Sequence, residues 1–312
     1  MKTFEEIYNE IINNENSEIK KAYEKAKIKN DKYKTITVII CLILDIIYFL
    51  ITIKNMSIFF IMFILFINIF IYLIMKIIST FSKEQREYVN LYKNQIIRKF
   101  IENFYNNLEY FPYKEMPEYI YKECQYEYYN KYSSDDYFEA LIDSKNSIQM
   151  AEILTKEERK YRDSDGNVRT ETITKFHGLF AKIDLGKSID SELSIMPNQI
   201  SLFKQNKLEM DSMEFEKKFD VQASNKIIGM QILTSDIMQE LLEFLKINNI
   251  KYDISIKNNE LYIRFNCGPM FEIGKMKKGA IDRDLIYKYY KILEFTYDLS
   301  HKLIKTINDV EI

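Results

Sequence analysis

The strongest hydrophobic pattern in the chain is a pair of apolar runs at residues 35–53 and 57–75, separated only by Lys54-Asn55-Met56. As an α-helix, each run would span about 28 Å, which is close to the thickness of the hydrocarbon core of a bilayer. Neither run shows the polar residues at helical spacing that are typical of a helix in a soluble protein. The pattern therefore predicts a transmembrane hairpin over residues 35–78.

Two polar side chains interrupt these runs, Asp45 in the first and Asn68 in the second. An aspartate at the centre of a membrane helix raises the free energy of insertion by about 2.5–3.5 kcal/mol. Each Ile, Leu, Val or Phe lowers it by about 0.3–0.6 kcal/mol, and the runs contain many of these residues. Counted back from the turn at about 1.5 Å per residue, the two side chains lie within about one helical turn of the same depth. We therefore predict an intramembrane polar pair that holds the helices together, with a functional role for Asp45 as the alternative.

The placement of lysine and arginine predicts the orientation of the hairpin. Seven lysines precede the first run, within residues 20–34, and Lys76, Lys83, Arg86 and Lys93 follow the second. The connecting turn carries only Lys54. Because positive residues stay on the cytoplasmic side, we expect a two-span protein of the cell membrane with both termini in the cytoplasm.

The rest of the chain has the pattern of an α+β protein. Residues 1–34 are predicted to form N-terminal cytoplasmic helices, and residues 79–147 a juxtamembrane helical neck. In this neck, apolar residues at helical spacing predict that the second span continues as a helix to Leu108. Residues 148–312 are predicted to form a cytoplasmic domain with a mainly antiparallel sheet covered by helices.

Within the last segment, the period changes from helical to alternating at Ile148. A long hairpin is predicted from residues 148–162 and 168–185, and a second from residues 252–256 and 261–266. Further strands are predicted at residues 191–196, 206–210 and 213–221. Thr234 or Ser235 is expected to cap a helix that ends at Lys246, and residues 282–308 are expected to form a long amphipathic helix.

Composition, charge and the absence of known motifs exclude several classes of function. The net charge is −2 with a pI near 6.0, so no basic field indicates a nucleic-acid partner. The three cysteines are widely spaced and form no CxxC pair, so neither a disulfide framework nor a zinc site is indicated. Nucleotide-binding, zinc-protease and serine-hydrolase motifs are absent from the sequence. We therefore predict no cofactor, no metal and no catalytic residues.

His177 is one of two histidines in the chain and lies on a predicted strand with a half-apolar face. A lone histidine in that position is more often a hydrogen-bonded structural residue than a catalyst. The local sequence offers it no convergent cysteine, histidine or carboxylate. We keep His177 only as a minor candidate for a site.

Several short segments give the chain a resemblance to a known family. They are Ser134-Asp135-Asp136-Tyr137, Met150-Ala151-Glu152-Ile153, Phe176-His177-Gly178-Leu179-Phe180, the run from Met213 to Val221, Ile232-Leu233-Thr234, Met238-Gln239-Glu240-Leu241-Leu242, Leu261-Tyr262-Ile263 and Phe271-Glu272. In order and spacing the chain resembles an uncharacterised bacterial family, the domain of unknown function three-one-three-seven. The resemblance implies an N-terminal helix, a two-span hairpin and a cytoplasmic α+β domain, and it implies no activity.

Three classes of function are compatible with these observations. The leading hypothesis is a membrane-anchored, non-catalytic protein whose cytoplasmic domain binds a protein, peptide or lipid partner. The first alternative is an oligomeric membrane element, a pore or a sensor, that uses the hairpin and Asp45. The second alternative is an unrecognised membrane-bound hydrolase. The bilayer and either a protein partner or a second copy of the chain are the expected partners, and nucleic acid is not.

Overall fold

In the computed structural model, the described residues are 1–14, 18–52, 58–124, 126–164, 166–198, 206–274 and 276–309. They divide into two compact units. The sheet unit comprises residues 1–4, 97–272 and those from 284 onward, and the helical-hairpin unit comprises residues 5–96 and 273–283.

The helical-hairpin unit is built from α1 (Phe4–Asn14), α2 (Glu18–Thr52), α3 (Ile58–Thr80) and α4 (Lys83–Leu91). Helices α2 and α3 are long and apolar enough to cross a membrane, and only 6% of the residues in each apolar window are buried. The exposure of their apolar side chains distinguishes them from the core helices of a soluble domain. The predicted pair of apolar helices is confirmed, and the turn Lys54-Asn55-Met56 lies outside the described residues.

The predicted continuation of the second apolar helix to Leu108 is wrong. Helix α3 ends at Thr80, and a new helix begins after Ser82, whose hydroxyl accepts a hydrogen bond from the backbone N–H of Gln85. This N-cap satisfies a free amide of α4 and ends the helical run. A π-helical turn (Tyr92–Ile97) and α5 (Arg98–Glu102) follow, and Leu108 lies in the first strand.

The described residues form one antiparallel sheet of eight strands in the order β1-β2-β3-β4-β8-β7-β5-β6. The strands are β1 (Asn106–Phe111), β2 (Lys131–Leu141), β3 (Ser147–Arg162), β4 (Val168–Asp184), β5 (Leu193–Pro197), β6 (Phe219–Ala223), β7 (Lys251–Lys257) and β8 (Glu260–Asn266). The helices of this unit are α6 (Glu118–Lys122), α7 (Met213–Lys218), α8 (Lys226–Ile232), α9 (Ser235–Asn248) and α10 (Arg283–Asp309). The predicted α+β class with an antiparallel sheet and covering helices is confirmed.

Strands β1 and β2 occupy part of the segment 79–147 for which we predicted a helical neck, and that part of the prediction is wrong. Strand β2 contains a bulge between Asp135 and Phe138, where Asp136 adopts a positive φ of 51°. A bulge inserts one extra residue and shifts the alternation of inward and outward side chains. The sequence therefore lacks the regular period that identifies a strand.

The strand predicted at residues 213–221 is wrong over residues 213–218, which form α7. The strand predicted at 206–210 is reduced to an isolated bridge between Lys207 and Gln222. Ser212 accepts a hydrogen bond from the backbone N–H of Phe215 and starts α7. Acidic residues in the first turn and lysines in the last turn favour this short helix. Strand β6 begins only at Phe219.

Both faces of the sheet are covered. On one face, Phe244 of α9 and Phe295 of α10 pack on Tyr252 and Phe265 of β7 and β8. On the other face, α6 and the chain on either side of it pack on aromatic residues of β4 and β8. Helices α9 and α10 therefore lie side by side on one face, and their outer surfaces form the groove described next.

Candidate functional site

An open groove of about 780 Å³ lies between α9 and α10 in the sheet unit. We call it the acidic groove. Its carboxylates are Asp236, Glu240, Glu243, Glu294 and Asp298, its lysines are Lys291 and Lys302, and its apolar and aromatic lining includes Phe244, Ile247, Phe295 and Tyr297. Five carboxylates against two lysines give the lining a clear negative excess.

Helical spacing explains why these carboxylates share one groove. Asp236, Glu240 and Glu243 are spaced by four and three residues along α9, so they lie on one face of that helix. Glu294 and Asp298 are spaced by four residues along α10. The two acidic faces meet because α9 and α10 pack together through Phe244 and Phe295, whose rings are stacked with centroids 4.0 Å apart.

The two lysines neutralise only part of this charge. Lys302 forms an ion pair with Glu240, and Lys291 Nζ donates to Glu294 Oε2 at 2.5 Å. Burial raises the pKa of Glu240 despite Lys302. Burial, with the charge of Glu294, also raises the pKa of Asp298. An additional cation in the groove would stabilise the charged forms of both carboxylates.

His301 lies at the same groove, where its ring packs edge-on against Tyr297 with centroids 4.3 Å apart. Among the described residues, its buried Nε2 atom has no hydrogen-bond partner. His301 is part of no sequence motif, because its neighbours at the groove are Tyr297, one helical turn away, and residues of α9.

The predicted intramembrane pair is brought together in the structure. Asn68 Nδ2 donates a hydrogen bond to Asp45 Oδ1 at 2.9 Å, which links α2 to α3. The functional role of the pair remains a prediction.

We expect Asp45→Leu to weaken the pairing of α2 and α3 by about 0.6 kcal/mol, and by no more than about 2 kcal/mol, because it removes one interhelical hydrogen bond. Asp45→Asn retains an acceptor for Asn68 and should be close to wild type. The measurement is unfolding of the full chain in bicelles by titration with dodecyl sulfate. Equal losses for both variants would show that the charge, and not the hydrogen bond, matters at this position.

His177 lies beside a carboxylate that the local sequence did not reveal. Its Nε2 atom is 3.1 Å from Oε1 of Glu152, which is on the neighbouring strand β3. Burial lowers the pKa of His177, which favours the neutral ring at neutral pH. The side chains of Ser133, Asp135, Leu154 and others enclose a small cavity of about 210 Å³ at this point.

Carboxylate oxygens of Asp135, Asp136 and Glu152 lie within 4.8 Å of one another, close enough to hold a cation. Protein groups already engage them: the Tyr110 hydroxyl donates to Asp136, and the backbone N–H of Met270 donates to Glu152 at 2.6 Å. These bonds fix the β2 bulge and the loop before α10. We therefore interpret the cluster as structural.

Comparison with known proteins identifies one segment of the chain. A family model described as "Protein of unknown function (DUF3137)" matches residues 174–305. Residues 174–305 are thus similar to this family of unknown function. This confirms the resemblance drawn from the sequence over that segment, which is less than half of the 312 residues. The matched residues include β5–β8, α9 and most of α10, and therefore all residues that line the acidic groove.

No curated protein matches the chain. One solved structure is similar, the crystal structure of the mycobacterial trehalose monomycolate transport factor A, TtfA. The similarity covers 69% of this chain and 95% of that chain, with 6% sequence identity and a TM-score of 0.37. At these values the likeness carries no argument about function.

Proposed function

We propose that the protein is a membrane-anchored, non-catalytic binding protein with both termini in the cytoplasm, and that its acidic groove takes up a basic segment of a partner protein. The anchor is supported by the two exposed apolar helices α2 and α3. The orientation is supported by the lysines that flank both helices and are nearly absent from the turn.

The observation that carries the binding role is the negative excess of the acidic groove above an aromatic floor. Exposed carboxylates on a protein surface are usually solvated singly, whereas here five lie on two adjacent helices around one depression. Lysine or arginine side chains of a partner would be attracted to these carboxylates, while its apolar side chains would contact Phe244 and Ile247. A short amphipathic basic helix or an extended basic peptide has this combination.

The non-catalytic part of the proposal is supported by the cluster around His177. The carboxylates there are engaged by Tyr110 and by a backbone amide, and the imidazole faces Glu152. Such bonds favour a structural role over proton transfer to a substrate. A purified full chain that turned over a substrate, with loss of turnover in His177→Asn, would reverse this assignment.

We expect the full chain in detergent to bind a fluorescent amphipathic peptide of alternating lysine and leucine pairs. A triple variant, Asp236→Asn with Glu243→Gln and Asp298→Asn, should bind it about tenfold more weakly, which corresponds to about 1.4 kcal/mol. The matched control removes three exposed carboxylates of the same unit that lie outside the groove, through Glu109→Gln, Glu171→Gln and Glu209→Gln. Fluorescence anisotropy measures both.

Salt and pH provide two further readouts of the same binding. Raising the ionic strength should weaken binding, because the ion pairs formed are partly exposed. Lowering the pH from 7 to 5 should also weaken it: Glu240 and Asp298 have raised pKa values and gain protons before exposed carboxylates do. The groups that face them are Glu294, Lys291, Lys302, His301 and Glu243. Equal loss of binding in the control variant, or equal binding of a glutamate–leucine peptide, would contradict the proposal.

A further inference from the structure

A second open groove, of about 750 Å³, lies in the helical-hairpin unit along the polar part of α2. We call it the basic groove. It is lined by Lys20, Lys27 and Lys34, by the carboxylates Glu24 and Asp31, by Tyr8, Ile12, Tyr23 and Asn30, and by residues Met276 and Gly279–Ile281 of the segment before α10. All of these residues belong to the helical-hairpin unit.

The three lysines form a single stripe. They are spaced by seven residues, or about two helical turns, so they repeat on the same face of α2 at intervals of about 10 Å. Lys34 ends the stripe and immediately precedes Thr35, the first residue of the apolar run. The basic groove therefore runs along α2 to the point where the apolar helix begins.

Two tyrosine hydroxyls hold the opposite wall in place. Tyr23 donates to the carbonyl oxygen of Met276 at 2.6 Å, and Tyr88 of α4 donates to the carbonyl oxygen of Ala280 at 2.6 Å. The hydroxyl of Ser79, near the end of α3, donates to Asn30 Oδ1 at 2.9 Å. These hydrogen bonds come from three helices, so the groove is built by the fold rather than by mobile lysines alone.

The lysines keep most of their charge available. Lys34 pairs with Asp31 at 2.9 Å, but both side chains are more than half exposed, and solvent screens such pairs strongly. Among the described residues, no carboxylate lies within ion-pair distance of Lys20 or Lys27. Lys27 Nζ instead lies 5.7 Å from the ring centroid of Tyr23. An anion entering the groove would therefore meet two lysines without displacing an ion pair.

We infer that the basic groove binds the phosphate headgroup of an anionic phospholipid. The inference rests on the proposed membrane anchoring, because that places the end of the groove at the bilayer surface. A lipid phosphate there would contact Lys34 and Lys27 while its acyl chains stayed in the bilayer, and its glycerol would contact lining residues such as Ile281. Lys20, about 20 Å from Lys34 along α2, would add only longer-range attraction for the anionic headgroup. Lysine near an anionic membrane surface is attracted by the negative surface potential of the lipids.

The general preference for lysine on the cytoplasmic side explains why α2 is lysine-rich, but not why three lysines share a groove. The chain offers a matched comparison for this distinction. Lys21, Lys25 and Lys32 are on the same helical segment, are equally exposed, and lie outside the groove. Lys29 is excluded because it pairs with Glu84 at 3.3 Å.

The experiment is native mass spectrometry of the full chain in micelles that contain phosphatidylglycerol or phosphatidylcholine. The wild-type chain should retain one phosphatidylglycerol with at least tenfold preference over phosphatidylcholine. The variant Lys20→Gln/Lys27→Gln/Lys34→Gln should lose at least tenfold of this retention. The variant Lys21→Gln/Lys25→Gln/Lys32→Gln, with the same change of charge, should lose less than twofold.

Three outcomes would overturn the inference. Equal losses in the two variants would show diffuse attraction by a basic helix, and equal retention of the two lipids would show no selection for the anionic headgroup. Displacement of phosphatidylglycerol by millimolar inorganic phosphate would show a site for free phosphate instead of a lipid. Extraction of the chain from membranes by alkaline carbonate tests the anchor separately, and lysine–leucine peptide binding tests the acidic groove, so failure here is distinguishable from failure of the proposed function.

Discussion

Replacement of Arg264 by methionine should lower the free energy of unfolding of the sheet unit by about 3–5 kcal/mol. The Arg264 side chain is only 15% exposed and lies on β8, on the face covered by α6. Its guanidinium donates to Asp253 Oδ2 from Nε at 2.8 Å and from Nη2 at 2.6 Å, and it also pairs with Glu127. Loss of the guanidinium would leave two carboxylates in a partly buried site without their counter-charge.

The surroundings of Arg264 make relaxation costly. Its guanidinium carbon lies 4.1 Å from the ring centroid of Tyr126, and its Nη1 donates to the Tyr121 hydroxyl at 3.2 Å. Burial would lower the pKa of Arg264, but the charges of Asp253 and Glu127 outweigh that effect and hold it above the ordinary value. The arginine therefore stays charged, and methionine replaces its volume but not its charge.

Tyrosine near-UV circular dichroism of the full chain is the measurement, because the protein has 24 tyrosines and no tryptophan. The variant Arg264→Met/Glu127→Gln/Asp253→Asn should recover at least half of the lost free energy of unfolding. It removes the two carboxylate charges together with the guanidinium that neutralises them. A loss below about 1 kcal/mol for Arg264→Met would instead assign this network to the weak class of surface ion pairs.

Replacement of Phe295 by alanine should lower the free energy of unfolding by about 3–5 kcal/mol, because it opens a cavity in the helix-covered face of the sheet. Phe295 is 5% exposed. Besides its stacking on Phe244, its ring centroid lies 5.3 Å from that of Tyr252 and 6.0 Å from that of Phe265. These contacts join α10 to α9, β7 and β8, so the truncation loosens the packing of α10 against all three of these elements.

Hydrogen–deuterium exchange of the backbone amides of β7 and β8 measures this loss in the full chain. Ile247→Ala is the control, since Ile247 is on α9 beside the same groove but is 72% exposed. Its effect should stay within about 0.5 kcal/mol. Unchanged exchange in Phe295→Ala would mean that α10 is not required to hold these strands.

The sequence predicts elements well where one period is sustained. The hairpin of β3 and β4 pairs from Ile148 with Ile183 to Arg162 with Val168, close to the predicted bounds. The amphipathic helix predicted at residues 282–308 is α10, which buries residues 289, 292, 296, 299 and 303 at helical spacing, while Leu285 is only half-buried. In both elements the pattern extends over more than a dozen residues, so a single irregular position does not obscure it.

The sequence fails where a short element depends on one local hydrogen bond or one unusual dihedral angle. The alternation of Met213, Phe215 and Phe219 with charged residues is typical of a strand. Residues 213–218 nevertheless form α7, because Ser212 caps the helix. The bulge at Asp136 likewise interrupts the alternating pattern by which β2 could have been predicted. Intrinsic propensities are weak and depend on context, so in a segment as short as the six residues of α7 one local hydrogen bond can decide the structure.

The candidate sites also differ in whether they could be predicted from the sequence. The pairing of Asp45 with Asn68 was predictable because depth in a hairpin is a matter of counting residues. The acidic groove was not, since its carboxylates come from two helices separated in the chain by strands β7 and β8. The partner of His177 was missed for the same reason: Glu152 is 25 residues away and becomes adjacent only through strand pairing.

Helix α2 is continuous for 35 residues, from the basic groove through Asp45 to Thr52. A helix of this length is a rod of about 52 Å without a hinge. With residues 35–53 in a bilayer, a change of 10° in tilt would displace the far end of the lysine stripe, about 20 Å away, by about 3–4 Å. With the proposed anchoring, this rod would couple bilayer thickness mechanically to the position of the lysines, so that lipid composition would act by geometry as well as by charge.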